Sequence, residues 1–424
     1  MADQLSKSSK ELLGKLPADF NPGRPRPYVE HDGYLVMFVP DSDLDGLKSF
    51  HLVIKRTYHI APDQRLERTT WQRQICQGDE YFDGAGPFES SLRTETELGP
   101  PKAATDIIVN ATCYAPGGEA THCYPEVRVG KHLKRLIVIG NRIATIRAGK
   151  DPEFTPAQKF SALPVRYEYA YGGVDQQHSM APLMCPTNPL GMGYLVAGLD
   201  ADPPRDRWTV MPNIEDPENL IQPGSLLVPS VQDAKVREPA GLGWVPRHWE
   251  PRALLAGMPA GAKPLWQKLF GDKDKEGKHF KELQAGFWNG APRGLQVPLL
   301  EGHEKISLKH LHRTREEFAL VLPMDQPRLR VGINDTELQK VAVKLNTVQI
   351  EVEKGEVYLS WRGTLPAPNG LKSLEDLTRV LLEVDGQLVL PAPLVGTGFP
   401  IDLLTGAFPG PDLLELKGLP KPGG

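Results

Sequence analysis

The chain has little cysteine. Cys76, Cys113, Cys123 and Cys185 are too few and too scattered in 424 residues for a disulfide framework, and none sits in a Cys-x-x-Cys pair. Free thiols in a reducing compartment are the expectation. Long apolar runs are also missing: nothing approaches the ~18 residues that a membrane-spanning helix needs, and the amino-terminal MADQLSKSSKELLGKLPADF has no apolar signal core. A cytoplasmic location away from the membrane follows as an expectation. There is no basic excess. The formal net charge of -4 runs against the basic balance of a sequence-independent nucleic-acid binder. The densest basic run, Lys131-His132-Leu133-Lys134-Arg135, abuts Leu136-Ile137-Val138-Ile139 and reads as the solvated entry of a strand.

Familiar catalytic signatures are lacking too. No GxSxG, HExxH or Walker A loop occurs. Asn188-Pro189-Leu190-Gly191-Met192-Gly193 contains Gly-x-Gly without a third glycine or a strand before it, and reads as a turn. His303, His310 and His312 lie near one another, yet no cysteine or carboxylate at ligand spacing completes a zinc pattern. Cys113, Cys123 and His122 supply nucleophile and base types, but nothing in their spacing argues for a thiol enzyme. No cofactor or metal is expected.

Glycine and proline, 41 of each, favour turns and short strands over long helices, while 40% hydrophobic and 24% charged residues are those of a globular chain. Alternation marks a strand over 50–60, segments 106–114, 126–130 and 133–139 read as further strands separated by turn signals, and 347–352 with 357–362 flanks a hairpin loop containing Gly355. The expected fold is mainly β, with sandwich- or barrel-like antiparallel sheets, long irregular loops and a few short helices. Helices are expected over 263–270, 277–284, 309–318 and, most clearly, 373–383, where Ser373 and Asp376 resemble a capping box and Leu374, Leu377, Val380 and Leu381 form a stripe. The proline-rich Asn21-Pro22-Gly23-Arg24-Pro25-Arg26-Pro27 closes an amino-terminal arm, 1–29. A β-rich core, 30–365, with room for two subdomains follows, then an extension, 366–424, whose many apolar residues either pack back on the core, the favoured reading, or become ordered on a partner.

In Val165-Arg166-Tyr167-Glu168-Tyr169-Ala170-Tyr171-Gly172-Gly173-Val174-Asp175, read as a strand and corner, Tyr167, Tyr169 and Tyr171 share one face. Arg166 and Glu168 share the other, where they either pair or face a partner. The acids Glu168, Asp175, Glu215 and Asp216, with Trp244, Trp249, Trp288 and Trp361, keep open a second reading, a carbohydrate-active enzyme or sugar-binding β protein using paired carboxylates. Solvated or paired acids and core tryptophans are the commoner use of these residues.

Several irregular motifs occur in order: Ala104-Thr105-Asp106-Ile107-Ile108-Val109-Asn110, Tyr114-Ala115-Pro116-Gly117-Gly118, the 163–175 stretch, Asn188–Gly193, Met211-Pro212-Asn213-Ile214-Glu215-Asp216-Pro217, Gly243-Trp244-Val245-Pro246-Arg247-His248-Trp249 and Trp361-Arg362-Gly363. Together, over about residues 30–365, they resemble a bacterial domain-of-unknown-function family found beside type VI secretion genes; Phe is common in that family where Tyr171 stands here. Members of the family look like adaptors, or chaperones, for toxic effectors that carry a spike-tip domain of the PAAR type. The resemblance implies a non-enzymatic protein that keeps a cognate effector with a PAAR-like domain soluble and helps load it on the trimeric spike protein. It carries over no catalytic residues. Within the motifs, Arg166, Glu168, Tyr171, Asp175, Trp244 and Trp249 are the candidate partner-binding residues.

Overall fold

The computed structural model describes residues 28–31, 33–43, 46–147, 150–177, 182–197, 206–230, 237–256, 285–333, 339–366, 377–384 and 387–389. The architecture is mainly β: multiple, chiefly antiparallel sheets with long loops, and, among the described residues, one short α-helix, Glu250–Ala253, plus 3-10 turns. No described helix is long and apolar enough to cross a membrane.

The largest sheet runs in the order Tyr28–His31, Tyr34–Asp43, Gly46–Ile60, Glu356–Pro366, Val343–Glu351, Thr105–Asn110 and Gln296–Val297, with Leu66–Arg68 paired beside the end of Gly46–Ile60. Its strands pair antiparallel except Val343–Glu351 with Thr105–Asn110. The register puts Phe50, Leu52, Ile54 and Tyr58 on one face with Val357, Leu359, Trp361 and Leu365. Leu345, Val348 and Ile350 continue that face, since a bulge between Leu345 and Thr347 shifts the alternation by one residue. Ile107 and Val109 complete it.

This apolar face forms the main core with Val127, Val129, Ile306, Leu308, Phe318 and Leu320 of a second, four-stranded sheet. That sheet orders His132–Arg135, Glu126–Val129, Lys305–Lys309 and Glu317–Val321. A satellite core of Ala144, Tyr171, Cys185, Tyr194, Val196, Met211, Ile221, Leu226 and Val228 gathers several of the two- to four-residue strands of the 143–228 region, while Leu163 and Ile214 join the main core.

Three expectations are corrected. The clearest helix, 373–383, is not one where it is described: Leu377–Val384 is a strand paired with Pro327–Ile333. Its residues, LTRVLLEV, fit period two as well as a helical stripe, and Leu329 opposite Leu382 draws the strand into the main core. Of the carboxyl extension, Leu377–Val384 thus packs on the core through Leu382 and Val384, and Gln387–Val389 pairs beside it; 367–376, 385–386 and 390–424 lie outside the described residues. The second correction is 309–318, where the helix is replaced by a hairpin between Lys305–Lys309 and Glu317–Val321, with Ile306, Leu308, Phe318 and Leu320 directed inward.

The third is 165–175, which is a 3-10 turn, Tyr167–Tyr169, followed by the two-residue strands Tyr171–Gly172 and Val174–Asp175. The double glycine is the reason. Gly173 has φ +90°, and a Cβ there would stand 2.1 Å from the Gly191 carbonyl oxygen, so the chain turns a corner that only glycine permits. The helices at 263–270 and 277–284, and most of the arm, lie outside the described residues; the core begins by residue 28, where Tyr28–His31 pairs with Tyr34–Asp43.

Candidate functional site

The second face of the main sheet is polar and nonetheless buried. Alternation places Lys55, Thr57, Ser360, Arg362, Thr347, Gln349, Glu351, Asp106 and Asn110 there, and all are buried. They are met by acids and bases from segment 93–102, by the Trp244–Arg252 corner and by the turn Ala285–Trp288.

Lys102 and Asp106 have no exposed side-chain surface, and Lys102 Nζ donates to Asp106 Oδ2 at 2.6 Å and Thr347 Oγ1 at 3.1 Å. Asp106 also accepts from Asn289 Nδ2 and from the Gly290 amide, at 3.0 and 2.9 Å. The Lys102 ammonium lies 4.6 Å from the centre of a Trp244 ring. Glu97 accepts from Lys55 Nζ at 2.6 Å, from the Cys76 amide at 2.7 Å and from the Ser360 hydroxyl. Glu95 is bound by the Arg252 guanidinium and lies 3.3 Å from Arg247 Nε, while Arg252 also donates to the Val245 and Phe287 carbonyls.

Burial raises the Glu95 carboxyl, but Arg247, Arg252 and Lys102 outweigh it and hold it at about 2. Burial opposes ionisation of Glu97 as well, and Lys55 with the Cys76 amide keeps it below the ordinary carboxylate value. The same desolvation lowers Lys102 to about 8 and Arg362 to about 10. A lysine near neutrality is a familiar catalytic device. Here, however, its ammonium is enclosed and spent on Asp106 and Thr347. The layer's chemistry is that of a clamp tying segment 93–102 and the tryptophan corner to the sheet. Alternation alone would give these sheet residues to solvent, so only the covering segments reveal them.

The candidate residues from the motifs separate within this frame. Arg166 and Glu168 are not each other's partner. Arg166 Nη1 donates to Asp83 at 2.8 Å, and its guanidinium lies 4.1 Å from the Phe82 ring centre. Glu168 accepts from Ser90 Oγ at 3.0 Å, the Ser91 amide at 2.8 Å and the Ser91 hydroxyl. Both are part-buried, and the 3-10 turn between them removes the shared strand face on which a pair would form.

Asp175 is buried and accepts from Arg207 Nη2 at 2.5 Å and from the Val196 and Gln177 amides. Tyr171 lies in the satellite core, edge-on to Tyr194 at 6.2 Å, with no described residue bonded to its hydroxyl. Trp244 donates to Gln349 Oε1 at 3.2 Å, and Trp249 stands edge-on to Tyr167 at 5.1 Å, so both tryptophans anchor the interior. Trp361 is likewise core. The other acids weighed for paired-carboxylate chemistry have their own partners: Glu215 is bound by Arg142 and the Ile221 amide, and Asp216 accepts from the Glu218 amide.

A different surface stands out. In the three-stranded sheet Glu153–Phe154, Ile143–Ile146 and Arg207–Val210, Ile143 pairs with Val210 and Thr145 with Trp208, which puts Ile143, Val210 and Trp208 on one face. They are 43%, 40% and 58% exposed, while the next residue, Ala144, turns into the satellite core with no exposure. Gln177 bonds both the carbonyl and the amide of Trp208 and so ties this sheet to the adjoining Val174–Asp175 hairpin, where Val174 and Met184, opposite one another, are again exposed. The sequence reading passed over this patch. Its only trace there is Trp208 and Val210 two apart in Arg207-Trp208-Thr209-Val210, without a signal for which face is covered.

A family model described as "Uncharacterized protein conserved in bacteria (DUF2169)" matches residues 45–362, most of the chain. No curated protein and no solved structure matches.

Proposed function

The chain belongs to that DUF2169 family of bacterial proteins, and from this premise we propose that it is an adaptor or chaperone that binds a protein partner. The partner we propose, on the resemblance carried by its motifs, is a toxic effector with a PAAR-like domain, held soluble in the cytoplasm of the producing cell and loaded on the trimeric spike protein. The observation that carries a binding role is the apolar face of Ile143, Trp208 and Val210, with Val174 and Met184 beside it. Exposed aromatic and aliphatic side chains gathered on one rigid sheet are what a partner covers, and a central tryptophan is the commonest anchor of such interfaces.

The test is co-expression with the products of neighbouring open reading frames, followed by pull-down with the parent and with Trp208→Ser. Trp208 is more than half exposed, so its replacement is expected to leave stability within about 0.5 kcal/mol. Loss of an anchor of ~2 kcal/mol weakens binding roughly 30-fold. Capture unchanged by Trp208→Ser removes this face from the interface, and turnover of a glycan by the isolated chain favours the carbohydrate-active reading instead.

A further inference from the structure

Two sequence features that the adaptor reading leaves unused meet in one place. The turn Tyr114-Ala115-Pro116-Gly117-Gly118 and the segment around His310-x-His312 line a cleft of about 640 Å³, together with Ser161, Ala162 and residues 313–316. Backbone bonds hold the lining together: the Tyr114 amide donates to the His310 carbonyl and the Ala115 amide to the Ser161 carbonyl, each at 2.9 Å. The volume lies within the range of small-ligand sites. His303, the third histidine of the trio tested for metal binding, does not line the cleft.

The cleft's charge runs against that of the chain, whose formal net charge is -4. Its one acid, Glu316, already lies 3.8 Å from both Lys309 Nζ and His310 Nε2. Arg315 is anchored by a 2.6 Å bond to the Pro62 carbonyl, which uses one of its five donors. Arg313 is exposed, and no described residue engages its guanidinium.

The backbone is arranged for close approach. His310 adopts φ +56°, a left-handed conformation costing a non-glycine residue on the order of 1 kcal/mol or more, and such strain concentrates at binding sites. Opposite it, Gly117 and Gly118 have φ +68° and +91°, and nothing lies within 4 Å of the point where either Cβ would stand. The turn therefore presents open main chain. Burial lowers both His310 and His312 below the ordinary imidazole value, which leaves the two arginines as the cleft's fixed positive charge at neutral pH.

We propose that this cleft binds an oxyanion, a carboxylate or phosphate group, held by the guanidinium forks of Arg313 and Arg315. Planar guanidinium donors match either anion bidentately, and these charge-assisted bonds are among the strongest available to a partly solvated site. The proposal is independent of the adaptor reading, because it uses none of the residues of the apolar face.

Isothermal titration of the full chain at low salt with citrate, inorganic phosphate and a short glutamate-rich peptide tests it. The variants are Arg313→Ala, Arg315→Ala and, as a control, Arg293→Ala, an exposed arginine outside the cleft. Saturable binding of at least one probe is expected, weakened about tenfold or more by either cleft substitution and unchanged in the control. Binding of citrate or phosphate identifies a free anion as the source; binding of the peptide alone identifies an acidic polypeptide segment. Absence of saturable binding by all three probes, or affinity indifferent to both cleft substitutions, overturns the proposal.

Discussion

Replacing Glu95 by glutamine removes one negative charge from between two buried guanidinium groups and leaves nearly every other atom in place. Glu95 and Arg252 are both almost fully buried, and Arg247 Nε approaches the same carboxylate oxygen at 3.3 Å. Breaking a buried pair by neutralising one member costs about 3–5 kcal/mol, because the remaining charge is stranded away from water. The carboxyl's own affinity for protons gives a second measure. Held at about 2 against an ordinary 4.5, it binds its proton less readily folded than unfolded, a difference worth about 3 kcal/mol.

The sign follows directly. That stability is fully present above pH 4.5 and is lost as the pH falls from there towards 2, since the unfolded chain takes up the proton first. Urea unfolding followed by circular dichroism at pH 7 and pH 3 reads both quantities. Glu95→Gln is expected to lose about 3 kcal/mol or more at pH 7 and to show a shallower acid loss than the parent. A Glu95→Leu, Arg252→Met double variant is expected to regain part of the deficit, since apolar side chains replace a desolvated pair at little net cost. A loss below 1 kcal/mol at pH 7, or an acid limb parallel to the parent's, refutes the account of the layer as a clamp.

Because Arg166 and Glu168 bind different partners, a double-mutant cycle between Arg166→Ala and Glu168→Ala is expected to give a coupling below about 0.5 kcal/mol; Glu168→Ala alone costs about 1–3 kcal/mol by stripping Ser90 and Ser91 of their acceptor, and a coupling above 1 kcal/mol contradicts the geometry. Leu382, fully buried opposite Leu329, ties the carboxyl extension to the main core, so Leu382→Ala is expected to cost about 2–5 kcal/mol in urea unfolding, and truncation after Pro366 to lower the melting temperature in the absence of any partner; equal stability of the truncated chain refutes that role.

Apolar periodicity along single segments determined several of the strands, including the centre of the main sheet. Residues 50–60, 106–114, 126–130 and the 347–362 hairpin are where the periodicity puts them, and Gly355 at φ +67° closes the hairpin as its loop composition implies. Trp244 and Trp249 are interior anchors, the commoner use of tryptophan in such chains. These features are legible because backbone geometry and local turn chemistry create them. Where two periods fit one segment, as in Leu377–Val384, the decision passed to a distant partner strand, Pro327–Ile333. The 165–175 stretch broke its apparent alternation because Gly172 and Gly173 pack against the Asn188–Gly191 backbone.

The polar face of the main sheet is the deepest case. Lys55, Thr57, Gln349, Glu351, Ser360 and Arg362 alternate like a solvated surface, and nothing local distinguishes them from one. They are buried because Glu95, Glu97 and Lys102, more than two hundred residues from Gln349 and Arg362 in sequence, arrive with complementary charge. The apolar face of Trp208, Ile143 and Val210 is the converse, an alternating strand pair whose outward side no described segment covers. Periodicity says which side chains share a face; whether water reaches that face depends on what the rest of the chain lays over it, and only the tertiary structure decides that.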